Sequence, residues 1–189
     1  MQQEPMGALC RAASEGNLTE VKRLLAAGAN PNGGDHELLP LVEAADGGYA
    51  EVVRVLLQAG ADPLKQDYMG YAPVSSSVEV AELLLAAGAP VRCAHPLGET
   101  GIHVAARIGN WGLVKFWLGK GLKIDEPDAG GYTALHLAAY RGEADRVARL
   151  LSLGANPNTA SNSGSTPLRT AKGEGHSEVV KLLRAAGAK

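Results

Sequence analysis

Gly131-Tyr132-Thr133-Ala134-Leu135-His136-Leu137-Ala138-Ala139-Tyr140-Arg141-Gly142, then a helical run, then Leu150-Leu151-Ser152-Leu153-Gly154-Ala155-Asn156-Pro157-Asn158, decides the fold. Thr133 opens a helix and the alanine pair keeps that helix narrow. Gly142 turns the chain into a second helix, which carries Val147, Leu150 and Leu151 on one face. Gly154 ends it, because a residue without Cβ adopts the left-handed conformation of a helix C-cap cheaply. The rest of the sequence varies this unit. Its Leu-Leu…Gly-Ala endings put a glycine at Gly28, Gly60, Gly88, Gly121, Gly154 and Gly187, in steps of 32, 28, 33, 33 and 33 residues.

Such a period implies an array in which each unit buries its apolar face only against its neighbours, and it overrides the one-domain prior of a 189-residue chain. With one Phe, two Trp and five Tyr, the core must be filled by alanine and leucine, which suits thin helices in close contact. A formal charge of −2 gives no global basic field for nucleic acid. The basic residues cluster instead on the second helices (Lys22 and Arg23, Arg54, Lys115 and Lys120, Arg146 and Arg149, Lys181 and Arg184), as spaced cations on a solvated face. Cys10 and Cys93 lie in different repeats with no CxxC pair and no histidine cluster around them, and read as small apolar side chains. The start, Met1-Gln2-Gln3-Glu4-Pro5-Met6, has neither basic residues nor an apolar core, so no secretory signal is expected, and no stretch approaches the ~20 apolar residues of a membrane helix. These features predict a cytoplasmic protein with reduced thiols.

The unit resembles the ankyrin repeat at nearly every signature position, from about residue 7 to the last residue. The resemblance implies an all-α repeat fold: a solenoid of helix-turn-helix units joined by β-hairpin loops. Residues 1–6 are expected to form a disordered lead. Residues 7–189 are expected to form one domain with repeats at about 7–32, 33–65, 66–93, 94–126, 127–158 and 159–189. In the first repeat the second helix should run from Leu18 to Ala27, and the polar Arg11, Ser14, Thr19 and Lys22 suit a terminal unit. In the second, Leu39-Pro40-Leu41-Val42 stands for the family's Thr-Pro-Leu-His, so Val42 removes the side-chain bond between repeats; its second helix should span Ala50 to Ala59. In the fourth, Gly101 replaces the usual proline, His103 occupies the motif histidine position as His136 does in the fifth, and Trp111 and Trp117 replace leucines of the pattern and should be at least partly core. In the sixth, Arg169 replaces the motif histidine and Lys172 the second alanine. Charge at sites that would face a further repeat leads to the expectation that this unit is a C-terminal cap and the chain a complete array.

The third repeat departs most. Pro73 to Gly88 spans 15 residues where Pro40 to Gly60, Ala134 to Gly154 and Pro167 to Gly187 each span 20. The helix ending at Leu83-Leu84-Leu85 is intact, so the five missing residues come from the end of the first helix and its glycine turn. Ser75-Ser76-Ser77 favours a cap or turn, with about one turn of helix or none over 72–77. Drift in a tolerant repeat and a notch admitting a partner both fit.

No catalytic or metal pattern emerges. His36, His95, His103, His136 and His176 are spread over five repeats, without the i, i+4 spacing of a helical zinc pair. No nucleophile elbow, phosphate loop or EF-hand pattern is present, and no carboxylate is expected in an apolar setting that would raise its pKa for acid–base work. The expected function is therefore binding: a non-enzymatic protein–protein interaction module that needs no cofactor, has no nucleic-acid or membrane role, and is monomeric when alone. An inhibitor or immunity protein that covers a cognate enzyme or toxin is the alternative, and an enzyme is the least favoured class.

In ankyrin arrays the concave surface, built from hairpin tips and first helices, binds other proteins. Carried over by position, the tip candidates are Asp35, His36, Glu37, Asp67, Tyr68, Met69, Tyr71, His95, Leu97, Glu99, Tyr132, Asn162 and Ser165. The first-helix candidates are Glu43, Asp46, Tyr49, Arg107, Ile108, Asn110, Tyr140 and Arg141. Tyr68, Met69, Tyr71, Tyr132 and Tyr140 are of the types that interface cores favour, though they also read as isolated surface side chains. Asp35, Glu37, Glu43, Asp46 and Asp67 against Lys65 give −5 + 1 = −4, an acidic front suited to a basic partner or to solubility alone.

Overall fold

The computed structural model describes residues 6–33, 39–66, 75–92 and 97–189. Among them the chain is all-α, with no strand. Its helices are α1 (Met6–Ser14), α2 (Leu18–Ala26), α3 (Pro40–Asp46), α4 (Ala50–Gln58), α5 (Val78–Ala86), α6 (Gly101–Ile108), α7 (Trp111–Gly119), α8 (Ala134–Tyr140), α9 (Ala144–Ser152), α10 (Pro167–Gly173) and α11 (Ser177–Ala185). None is long and apolar enough to cross a membrane. Met6, expected in the lead, already belongs to α1. The chain forms two compact units, Met1–Pro96 and Leu97–Lys189.

Among the described residues no helix exceeds nine residues, well below the ~12–15 at which isolated helices become even marginal, so packing must hold them. In the first unit α1 lies on α3, α2 on α4 and α4 on α5. Ala12, Ala13, Ala44 and Ala45 are buried and let the first helices approach closely, while Val21, Leu24, Val52, Val53, Leu56, Val80 and Leu84 fill the space behind them. In the second unit α8 lies between α6 and α10, and α9 packs on α11. Ala105, Ala106, Ala138, Ala139 and Ala171 repeat the alanine layer, with Ile102, Leu113, Leu135, Leu150 and Leu183 among its fully buried side chains. Each such aliphatic side chain contributes about 1.5–3 kcal/mol of burial.

The second helices stop where the glycine period puts their ends. Gly28 (φ 88°) lets its N–H donate to the Leu25 carbonyl (3.0 Å) while Ala29 donates to Leu24 (3.1 Å), and Gly154 (φ 89°) does the same with Leu151 and Leu150. α2 and α4 close one residue earlier than the sequence pattern implies, with Ala27 and Ala59 as C-caps. They start at Asn17, Tyr49, Ser77, Asn110, Glu143 and His176, positions that recur with the same steps as the glycines. Asn17, Ser77 and Asn110 accept a backbone N–H in their side chains, from Glu20, Val80 and Leu113 (3.1, 3.2 and 3.0 Å).

The connections of the second unit are tight turns, one closed by Asp128 N–H on the Tyr132 carbonyl (2.8 Å) and the next by Ser161 N–H on Ser165 (2.8 Å). Successive turns pair through Ala129 N–H to Leu97 O and Asn162 N–H to Gly130 O, both 2.9 Å. In the third repeat α5 is intact behind its Ser77 cap, and Ser75–Ser77 are not helical, as expected. Ala72, Pro73 and Val74, and with them the notch, lie outside the described residues. Ser76 stands where other repeats have a turn glycine, and its hydroxyl donates to the Ala45 carbonyl at 3.2 Å.

Candidate functional site

The two motif histidines are structural. Thr100 N–H points at His103 Nδ1 (3.1 Å), and Thr133 N–H points at His136 Nδ1 (3.1 Å). A backbone N–H can only donate, so each Nδ1 is an acceptor and the proton sits on Nε2. His103 Nε2–H then donates to the Tyr132 carbonyl and His136 Nε2–H to the Ser165 carbonyl, both at 3.0 Å, tying each first helix to the next turn. Both side chains are 1 % exposed. Burial holds both pKa values below the ordinary histidine value, and the carbonyl contacts oppose that only in part. Neither imidazole is available as a base or a ligand. Val42, at the same position of α3, is buried and carries no such tie. Among the described residues no group of three or more His, Cys, Asp or Glu side chains could hold a metal.

The docking candidates fall into three sets. Asp35, His36, Glu37, Asp67, Tyr68, Met69, Tyr71 and His95 lie outside the described residues, as does Cys93; Cys10 is half-buried. With them goes most of the acidic front: Glu43, half-buried, and Asp46, exposed, are its described members, and the Lys65 ammonium donates to the Asn32 carbonyl (3.1 Å).

Tyr49 and Asn110 are not first-helix side chains; they stand at the starts of α4 and α7, where Asn110 accepts the Leu113 N–H and Tyr49 makes no capping bond. The Tyr49 ring lies over two turns, where a Cβ on Gly16 or Gly47 would come within 2.6 or 2.3 Å of it. His176, the equivalent residue before α11, covers Gly142 in the same way and bonds the Tyr140 carbonyl at 2.9 Å. The position is used to hold consecutive helix turns together, and its 32-, 28- and 33-residue recurrence was the signal available in the sequence.

The third set is solvent-facing. Leu97, Ile108 and Tyr140 are 61, 44 and 57 % exposed, and Arg107 and Arg141 are exposed beside them. Tyr132 is half-buried, its ring edge-on to His136 with centroids 5.6 Å apart. Tyr132 and Tyr140 form walls of an open hollow of about 460 Å³ between α8 and α10, completed by Leu137, Arg169, Thr170 and Glu174. Arg107 and Arg141 border a shallow depression on the other side of α8, with Arg146, which pairs with Glu143. The hollow's Arg169, Thr170 and Glu174 are additions to the expected site; Arg169 had the character of a terminal charge, and its place opposite Tyr132 depends on the stacking of α10 on α8. Leu64, 57 % exposed, is a further apolar surface residue outside the expected set.

Four of the nine cations expected along the second helices are compensated. Arg23, Arg54, Arg146 and Lys181 each pair with a carboxylate three residues earlier: Glu20, Glu51, Glu143 and Glu178.

Comparison with known proteins places this architecture. A profile for ankyrin repeats (3 copies) matches residues 1–67, 69–160 and 102–189. Cyclin-dependent kinase 4 inhibitor B of Rattus norvegicus is 41 % identical over 96 residues, 48 % of this chain and 74 % of that protein. Human cyclin-dependent kinase inhibitor 2A is 40 % identical over 96 residues, 48 % of this chain and 62 % of that protein. Among solved structures, the human ASB11 ankyrin repeat domain superposes with a TM-score of 0.80 at 29 % identity, over 99 % of this chain and 85 % of that one. A chain of the complex between the Bd0816 predatory endopeptidase from Bdellovibrio bacteriovorus and immunity protein Bd3460 gives 0.76 at 27 %, over 97 % and 99 %. With the glycine period, the histidine ties and the alanine-lined first helices all in place, the chain belongs to the ankyrin repeat family.

Proposed function

We propose that the protein is a non-enzymatic module that binds another protein through the first-helix sides of its two units. The observation that carries this is the open hollow between α8 and α10, walled by Tyr132 and Tyr140, together with the exposed Arg107 and Ile108 of α6 and Arg141 after α8. Aromatic and arginine side chains at a solvent-facing concavity are the groups that anchor protein interfaces. In the first unit Glu43 and Asp46 supply the acidic contribution, and a basic patch on the partner meets it there; Asp35, His36, Glu37, Asp67, Tyr68, Met69, Tyr71 and His95 belong to the same proposed surface. The chain works in the cytoplasm, monomeric until its partner arrives. The buried, doubly bonded histidines support a role without catalysis.

The test is affinity capture from the source lysate with this chain as bait, compared with a variant carrying Glu43→Lys and Asp46→Lys and with Tyr140→Ala. A stoichiometric protein retained by the native chain and lost by these variants is the expected result. Retention unchanged by either variant overturns the assignment of the surface.

A second reading, an inhibitor or immunity protein, is favoured by the relatives named as cyclin-dependent kinase inhibitors and by the neighbour from an endopeptidase–immunity protein complex. Loss of the captured partner's activity in the complex supports it. Full activity in an equally tight complex favours an adaptor.

A further inference from the structure

We propose that the first-helix side of the second unit takes an acidic polypeptide segment with one large apolar side chain, which seats in the hollow between α8 and α10. This rests on the protein-binding reading and specifies the chemistry of the partner at this unit; it is opposite in sign to the basic patch expected at Glu43 and Asp46.

The charge follows from which side chains are already compensated. Around α8, Arg107, Arg141, Arg146 and Arg169 face Glu143 and Glu174. Arg146 is paired with Glu143, which leaves Arg107, Arg141 and Arg169 against Glu174 among the side chains that line the two concavities, or +3 − 1 = +2; Glu99, Asp125, Glu126 and Asp128, whose charges reach His103 or His136, lie outside that lining. These three guanidinium groups are exposed and have no carboxylate partner among the described residues. His103 and His136 beneath them are buried and neutral, so they neither add to nor cancel this charge. The surface therefore presents planar donors without acceptors, and a guanidinium fork matches a carboxylate bidentately.

The hollow supplies the apolar half. Tyr132, Leu137 and Tyr140 line it, and its volume of about 460 Å³ falls in the range of roughly 300–1,000 Å³ that accommodates bound organic groups. Leu137 borders both the hollow and the arginine-lined depression, so the apolar seat and the cations lie on the two flanks of one helix. An extended segment crossing α8 meets both.

The test uses the whole chain and two capped twelve-residue probe peptides, each with a central phenylalanine, one flanked by glutamates and serines and the other by glutamines and serines. Isothermal titration at 50 and 500 mM salt is expected to show the glutamate peptide binding at least about tenfold tighter at low salt, with the advantage lost at high salt. A variant with Arg107→Glu, Arg141→Glu and Arg169→Glu, its fold checked by helical signal and melting temperature, should lose that preference. Tyr140→Ala should weaken both peptides alike. Equal binding of the two peptides, no binding of either, or an undiminished preference in the triple variant overturns the proposal. Tighter binding of an oligo-dT strand than of the glutamate peptide overturns its commitment to a protein partner. A lysate partner retained equally by the native chain and the triple variant sinks this proposal while leaving the protein-binding reading intact; absence of any partner for the native chain sinks that reading.

Discussion

Gly101 lies flat against the indole of Trp117. A Cβ on Gly101 would fall 2.4 Å from both Cε2 and Nε1 of the ring. Trp117 is 3 % exposed, and its Nε1 has no hydrogen-bond partner among the described residues. The fourth repeat has thus replaced the family's proline with glycine and its leucine with tryptophan together, trading a side chain at the start of α6 for a larger one on α7. The two changes should be energetically coupled. Gly101→Ala is expected to cost about 1–3 kcal/mol by overpacking against the ring, and to be near neutral when Trp117→Leu is also present. A double-mutant cycle from denaturant unfolding should give a coupling of at least about 1 kcal/mol, and additive effects would refute the coupling.

Gly131 and Gly164 stand 33 residues apart with nearly the same backbone, φ 79° and 75°. They differ in what faces them. A Cβ on Gly131 would meet the Asn162 backbone nitrogen at 2.6 Å, whereas one on Gly164 would meet nothing within 4 Å. Gly164→Ala should cost only the left-handed conformational penalty, about 1–2 kcal/mol. Gly131→Ala carries that penalty plus displacement of the Asn162 N–H from the Gly130 carbonyl, and should cost at least about 1 kcal/mol more. Equal losses in parallel thermal melts would show that the approach of successive turns is not the constraint.

The fold was legible because its signals are local and repeated. Gly154 and its five counterparts mark helix ends, and Leu150 with Val147 marks a buried face, whatever lies beyond the repeat. His103 and His136 were legible for the same reason, since both partners of each bond sit at fixed offsets. The site was not legible to that degree. Tyr49 and Asn110 have side chains suited to an exposed face, yet they precede α4 and α7, where a side chain turns back onto its own helix or a neighbouring turn. Arg169 looked like a terminal charge, and only the stacking of α10 on α8 brings it to the Tyr132 hollow. Surface positions are constrained by a partner that the sequence does not contain.

His103 and His136 make stability depend on pH in a definite direction. Their folded pKa values lie below the ordinary value of 6.5, so the unfolded chain binds protons that the folded chain does not. Stability from this source is fully present above about 6.5 and is lost as pH falls through the folded values. Asp125 departs from the expectation that no carboxylate would sit where its pKa is raised: burial lifts it above 3.8, and it acts in the opposite sense, its ionisation opposing folding as pH rises from the acid side. Chemical denaturation at pH 7.5, 6.5 and 5.5 should show a falling midpoint for the native chain. His103→Gln with His136→Gln should flatten that slope, because glutamine can still accept the cap N–H but does not titrate here. An unchanged slope in the double variant would place the pH dependence elsewhere.

Asn32 and Leu64 occupy the same place, four residues past a helix-ending glycine, and behave differently for a reason found one repeat later. Asn32 Nδ2 donates to the Gly60 carbonyl at 2.9 Å, and its Oδ1 accepts the Asp62 N–H at 2.6 Å. Asn158 repeats the clamp on Gly187 and Lys189, at 3.1 and 2.9 Å. For Leu64 the corresponding N–H would belong to residue 90, which is Pro90 and has none to give. An amide there would satisfy only half of its bonding, which accounts for an exposed leucine at this position. Asn32→Ala should cost about 1 kcal/mol. Leu64→Asn alone should change stability by less than about 0.5 kcal/mol, as an ordinary surface substitution does. Added to Pro90→Asp it should gain about 1 kcal/mol relative to Pro90→Asp alone, because the second arm of the clamp can then form. Urea midpoints of the four chains decide the matter: a gain from Leu64→Asn in the Pro90 background would mean that the proline is not what excludes the amide.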